Sequence, residues 1–382
     1  MNLLKDKQVA IIGGGPGGLT LARILQMNGA EVKVYERDVN KDTRVQGATL
    51  DLHEESGLKA LDEAGLMDAF RANYRPGADK IRLMNKDAEI LIDEHNTDKE
   101  ESRPEIDRGP LRNILLDSLE PNTVVWDSQF TSLTKHKDGW KIEFKNSPAV
   151  YADIVIGADG ANSKVRPYIT DIKPFFAGLT AIEGAVYNSA EASPNMHKLV
   201  QGGKIFAMGD DQALIISSKG DGSLAFYVGF KTNEDWLEKS GVDFSNKEQV
   251  NAWFRKEFKG WDASWQELFE NADPHFIPRP QYCMPLDQAW DALPNLTMLG
   301  DAAHLMPPYA GEGVNMAMLD ALELGKCLLN TGFADTQSAI AAYETQMRAR
   351  ASEVAKDSIA SMEALHAPDA LSWFAEIVGY AQ

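Results

Sequence analysis

The strongest constraint on this chain is a run of glycines near its start. Gly13-Gly14-Gly15-Pro16-Gly17-Gly18 fits the spacing G-x-G-x-x-G. An apolar stretch, Gln8 to Ile12, precedes it, and Leu19, Ala22, Leu25 and Met27 follow at helical spacing. Glu31 to Tyr35 is a second short strand-like run. The order predicts strand, tight turn, helix and strand, the unit that opens a parallel sheet. Gly13 permits the turn, Gly15 lets backbone approach a pyrophosphate beside Pro16 and Gly17, and Gly18 lets helix and strand pack closely. The helix start adds unpaired N–H groups and a partial positive charge. Glu36, 18 residues beyond Gly18 at the end of the second strand, can accept hydrogen bonds from a ribose diol. The reading is an adenine dinucleotide site, with NAD and FAD both open.

Two later strand ends extend that site. Ala152 to Ile156 is an apolar run leading into Gly157-Ala158-Asp159-Gly160, and Leu296 to Leu299 leads into Gly300-Asp301. An Asp after a glycine at a strand end can hydrogen-bond a ribityl hydroxyl. The turn Gly311-Glu312-Gly313-Val314-Asn315, at the next helix start, can offer N–H groups to a flavin edge. A simple nicotinamide domain needs neither. Between these segments the pattern changes. From Ala181 to Lys231, alternating segments such as KIFAMG and SLAFYVGFK are separated by Gly, Asp and Ser, which predicts an inserted antiparallel sheet. Residues 246–269, 313–330 and 336–366 read as helices.

The 382 residues suit two or three domains. With 38 Lys plus Arg against 57 Asp plus Glu, the net charge is −19, so the surface repels nucleic-acid backbones and anionic lipid. An anionic ligand must then be held by local groups. Two cysteines, Cys283 and Cys327, make neither a disulfide framework nor a metal-ligand pattern, and a cytoplasmic location is the expectation. No segment approaches the roughly 18 apolar residues of a membrane span. The N-terminal stretch reads as a buried strand, without the cleavage pattern of a signal peptide.

With these motifs in order, the chain resembles the FAD-dependent aromatic hydroxylases of the p-hydroxybenzoate hydroxylase type. A closer resemblance is to the tetracycline-inactivating flavin monooxygenases. It rests on Arg44 with Gly47 to His53 (GATLDLH), Pro104 to Arg112 (PEIDRGPLR), GDAAHLMPPYAGEGVN and FKTNEDW at Phe230 to Trp236. The resemblance implies an α/β fold: a Rossmann-like FAD-binding domain (1–72, 100–172 and 281–335), an inserted antiparallel-sheet substrate domain (73–99 and 173–280) and a C-terminal bridging helix (336–382). It implies FAD contacts from Glu36, Arg37, Arg44, Asp51, Arg108, Asp159, Asp301, Pro308, Gly311, Gly313, Val314 and Asn315. Arg44 would also serve the NADPH reaction. Substrate contacts would come from Glu183, Lys204, Ile215, Ala225, Pro308, Gly311 and Leu365, with Met362 a further candidate on the last helix.

At the sheet positions the chain departs from the tetracycline enzymes: Glu183 stands for a glutamine, Lys204 for an arginine, Ala225 for a histidine and Ile215 for an aromatic. Glu183 and Lys204 are expected to meet the ligand singly or to form a pair serving it. His304 reads as a local packing or capping residue. The implied activity is hydroxylation of a polycyclic or phenolic compound by a monomeric enzyme using NADPH, O2 and FAD, with no metal and no catalytic side-chain triad. The alternatives are a reductase or dehydrogenase of the same fold and a flavoprotein that binds a drug without turning it over.

Overall fold

A computed structural model describes residues 3–43, 49–97 and 103–380. A five-stranded parallel sheet has the order Leu296–Met298, Ile154–Gly157, Gln8–Ile12, Glu31–Tyr35, Val124–Val125. Gln8–Ile12 is central, so both its faces are covered, and Val9 to Ile12 form an unbroken buried run. Val9 and Ile11 face a helical layer. Ala10 and Ile12 face a three-stranded antiparallel sheet of Phe130–His136, Gly139–Phe144 and Val150–Ala152, which the sequence reading did not anticipate. Because the strands are parallel, Gly13, Glu36, Asp159 and Asp301 all emerge at one edge, the carboxyl edge where ligands of such sheets bind.

Helix Pro16–Met27 packs on helix Gly313–Leu329 across a contact only glycine allows: a Cβ on Gly17 would lie 2.8 Å from the Ala317 carbonyl oxygen. Gly13 takes φ +113°, and a Cβ there would lie 2.2 Å from the Ala158 carbonyl oxygen. The turn and the neighbouring Asp159 loop therefore require glycine at this position.

The second sheet has seven strands, ordered Ile277–Cys283, Phe175–Val186, Leu224–Lys231, Gln212–Ser218, Lys204–Gly209, Ile81–Asn85 and Ile90–Asp93. All its pairs are antiparallel except Lys204–Gly209 with Ile81–Asn85. Alternation divides its faces. Ile182, Ile205, Leu214, Ile216, Phe226 and Val228 are buried under helices Lys247–Glu257 and Gln266–Asn271. The opposite face carries Glu183, Lys204, Phe206, Ile215, Ala225 and Tyr227.

Helix Thr336–Leu365, 30 residues and about 45 Å long, joins the two sheets. At its start the Tyr343 hydroxyl donates to the Met298 carbonyl (3.1 Å), and Glu344 accepts from Thr297 (2.7 Å). At its end Leu365 packs with Leu83, Met208, Ala213 and Phe374 on the open face of the second sheet. No helix among the described residues is long and apolar enough to cross a membrane.

One buried carboxylate ties these parts together. Asp320 accepts from the Gly300 amide (2.9 Å), His304 Nε2 (2.5 Å) and Arg350 (2.7 Å). Burial pushes its carboxyl pKa up, but the charges of His304 and Arg350 and these hydrogen bonds outweigh that and hold it low. Burial pulls His304 down, yet Asp320 keeps it above the usual histidine value. Asp320→Asn leaves His304 and Arg350 without their counter-charge and is expected to cost about 3–5 kcal/mol. A lower urea midpoint of unfolding checks this, and an unchanged midpoint counts against it.

Candidate functional site

The carboxyl edge of the parallel sheet forms the first half of the site. Gly15 precedes the first turn of helix Pro16–Met27 and has nothing within 4 Å of where a Cβ would sit, so its backbone faces open space. Glu36 lies beside this turn, accepting from the amides of Gly14 (2.7 Å) and Asp38 (3.0 Å). Arg37 is exposed. Asp159 accepts from the amides of Lys164 (2.7 Å) and Val165 (3.3 Å) through one oxygen, while its Oδ1 is buried with no hydrogen-bond partner. Open backbone at a helix start, with an orphaned buried acceptor alongside, fits a polar nucleotide ligand.

Arg166, which the sequence reading passed over, lashes two of these turns together. It donates to the Ala302 carbonyl (2.7 Å), the Asp301 carbonyl (2.8 Å) and the Ala161 carbonyl (3.3 Å). Asp301 begins the one-turn helix Asp301–His304. Burial holds its carboxyl above the usual range, and the charges of His304, Arg108 and Arg166 pull the other way. Arg108, exposed at the start of helix Arg108–Asp117, thus stands close enough to act on Asp301. His304 Nε2 is engaged with Asp320, while its Nδ1 is buried with no hydrogen-bond partner.

The second half is the turn before helix Gly313–Leu329. Pro308 is exposed, Val314 packs against the main core, and Gly313 faces open space. Asn315 is buried and binds this turn to strand Leu50–Asp51. Its Oδ1 accepts from the His53 amide (3.0 Å), and its Nδ2 donates to the carbonyls of Asp51 (2.9 Å) and Gly311 (3.1 Å). Gly311 has φ +72°, and a Cβ there would lie 2.9 Å from an Asp51 carboxylate oxygen. The Asp51 pKa is pushed up by burial, but the hydrogen bond from His53 and the charges of Lys204, His53 and Arg103 leave it lowered. Asn315 thus acts as a strut between two loops, and Asp51 belongs to the same junction. Arg44 and Gly47 lie outside the described residues.

Across from this junction is the open face of the seven-stranded sheet. Glu183, Tyr227, Ile215 and Phe206 form one rung, and Lys204, Ser217, Ala225 and Ala185 the next. The alternative of a Glu183–Lys204 pair does not occur. Two strands separate theirs, a gap of about 14 Å at roughly 4.8 Å per strand spacing. Glu183 instead pairs with Arg279 on the neighbouring strand. Lys204 pairs with Glu105 on strand Glu105–Ile106, which lies against Leu50–Asp51. Ala225 is buried, and Ile215 is half-buried with Phe206 and Tyr227. Met362 and Leu365 are buried at the end of the long helix. Tyr309, from the turn Pro308–Ala310, reaches this face: a Cβ on Gly229 would meet its hydroxyl at 3.1 Å. The ring stands edge-on to His366, 5.5 Å away.

The site therefore joins a nucleotide-shaped edge to a sheet face with an aromatic and apolar rung bordered by two ion pairs. A family model described as "FAD binding domain" matches residues 6–254 and 294–358. Monooxygenase asqM of Emericella nidulans is 27% identical over 373 residues, covering 84% of this chain and 83% of its own. The 3-amino-4-hydroxybenzoate 2-monooxygenase PtmB3 of Streptomyces platensis is 28% identical over 370 residues, covering 95% and 89%. The crystal structure of tetracycline destructase Tet(55) superposes with a TM-score of 0.76 over 98% of each chain, and its 18% identity makes this a likeness of fold. The chain belongs to the FAD-binding-domain family and is an FAD-dependent monooxygenase.

Proposed function

We propose that this monooxygenase uses NADPH and O2 to hydroxylate a polycyclic or phenolic compound, with a tetracycline as the first candidate. The observation that carries the reading is the sheet face opposite the 311–315 turn. Ile215, Tyr227 and Phe206, the last packed against Phe374 at 4.6 Å, make a half-buried, largely apolar rung, and Lys204–Glu105 and Glu183–Arg279 border it. When bound, FAD supplies hydride acceptance and oxygen activation.

The chain's own work on this reading is to bind, orient and exclude water. The Gly13–Gly18 turn and the helix behind it take the pyrophosphate. Glu36 accepts from the adenosine ribose, and Asp301 accepts from the ribityl chain. The backbone of 311–315 meets the ring edge, and Arg44 assists the nicotinamide. The aromatic wall and the bridging helix close the space between the two sheets, which keeps water from the reacting oxygen. They also hold the acceptor carbon in reach.

The direct test is NADPH oxidation by the FAD-loaded protein, with tetracycline and simple phenols as added compounds. The expected result is faster oxidation and a product one oxygen heavier, the atom coming from labelled O2. Oxidation without label in the product favours a reductase, and binding without product favours a carrier. Asp301→Ala is expected to weaken FAD by about 10–100-fold, the loss of one buried polar contact worth about 1–3 kcal/mol. A fluorescence titration with FAD reads it, and unchanged affinity removes Asp301 from the site. Arg44→Ala is expected to keep FAD but slow its reduction by NADPH in stopped flow, and an unaltered rate removes Arg44 from that step.

A further inference from the structure

His53 sits where the two halves of the site meet, and nothing in the reading above uses its side chain. It is 3% exposed. Its Nε2 donates to Asp51 Oδ2 (3.1 Å) and its Nδ1 to Glu312 Oε1 (3.0 Å). Each ring nitrogen faces a carboxylate, so both must carry hydrogen for both contacts to be hydrogen bonds, and the ring is then an imidazolium. Burial pulls the ring down, but the two carboxylates outweigh it and raise the His53 pKa to about 9. The trio is not arranged as a metal site.

Its position gives this charge a consequence. Asp51 lies against Gly311, the His53 amide donates to Asn315, and Glu312 stands at the start of the 17-residue helix Gly313–Leu329. The trio thus forms the inner wall of the 311–315 turn. Taken alone, the three groups carry a net −1 with His53 charged and −2 without that proton, and Arg103, 3.5 Å from the same Asp51 oxygen, and Lys204 add positive charge in both cases. Electrostatic interactions across such a partly buried gap are far stronger than in water.

We propose that the imidazolium of His53 is a positioning residue that holds the 311–315 turn and raises the reduction potential of the flavin bound there. This rests on the flavin lying at that turn. Reduction brings two electrons onto the ring, and a nearby positive charge favours them, whereas Asp51 and Glu312 with one positive partner fewer oppose them more. Two substitutions separate this electrostatic role from a purely structural one. His53→Gln removes the positive charge, and Glu312→Gln removes a negative one. Each also alters at least one of the two ring contacts of His53.

The experiment is a reductive titration of the FAD-loaded proteins at neutral pH against a reference dye. Dithionite donates two electrons per flavin and is oxidised to sulfite, and protons come from the buffer. The expected result is a potential shifted negative in His53→Gln and positive in Glu312→Gln, relative to the unaltered protein. Shifts of the same sign, or none in either variant, overturn the proposal. Should His53→Gln not fold, Glu312→Gln decides alone: a zero or negative shift overturns it. FAD binding by the unaltered protein is read first, from its visible spectrum. Its absence strikes down the flavin reading and this inference with it. Normal binding with unshifted variants strikes down only the inference.

Discussion

The organisation of this molecule depends on burying one negative charge, that of Asp320. A carboxylate removed from water is costly unless donors surround it. Here the donors come from three separate parts of the chain: the Gly300 amide, the His304 ring and the Arg350 guanidinium. Satisfying that one group fixes the Gly300–Asp301 turn, helix Gly313–Leu329 and the bridging helix relative to each other. It also commits His304 Nε2 to Asp320 at the base of the turn. Arg166 then pulls the Asp159 loop onto the same turn. The loops at the carboxyl edge of the parallel sheet thus share a buried polar network.

Much of this half of the molecule could be read in the sequence because its signals are local. The run at Val9 to Ile12, the glycine turn and the spacing to Glu36 sit within a few turns of chain, and each has a steric or hydrogen-bonding reason. The long helix announced itself in the same way, through periodicity from Thr336 onward. The three-stranded sheet over the far side of the parallel sheet was not anticipated, although Trp140, Ile142 and Phe144 alternate into its core. Ile81–Asn85 and Ile90–Asp93 were likewise not seen as strands: Ile90 and Leu91 at the sheet edge are exposed, so alternation there is weak.

What stayed hidden is long-range polar pairing. Glu105 reaches Lys204 across 99 positions and Glu183 reaches Arg279 across 96. No period or motif reports such a contact, since it depends on how two sheets are stacked and not on local spacing. His53 and Glu312 are the same case: each belongs to a segment that was singled out, yet their junction exists only once strand Leu50–Asp51 lies against the 311–315 turn. Arg166 followed the Asp-Gly segment, and a basic residue after a nucleotide-facing turn was the one signal that pointed to it.

These pairings alter the chemistry expected of the sheet face. Read singly, Lys204 and Glu183 offer a positive and a negative charge to a ligand. In the fold each is already matched, Lys204 by a buried carboxylate and Glu183 by an arginine. A ligand that took Lys204 for itself would strand Glu105, whose Oε2 is already buried without a hydrogen-bond partner. Burial holds the Glu105 pKa high, against the charge of Lys204. Leaving a buried group unpaired costs about 1–3 kcal/mol, so a bare anion gains little there. A guest that brings both a donor and an acceptor can bridge the pair without separating it. For the guest proposed to bind on this face, selection then falls first to the shape of the rung formed by Ile215, Tyr227 and Phe206, the last partly covered by Phe374, and only second to charge.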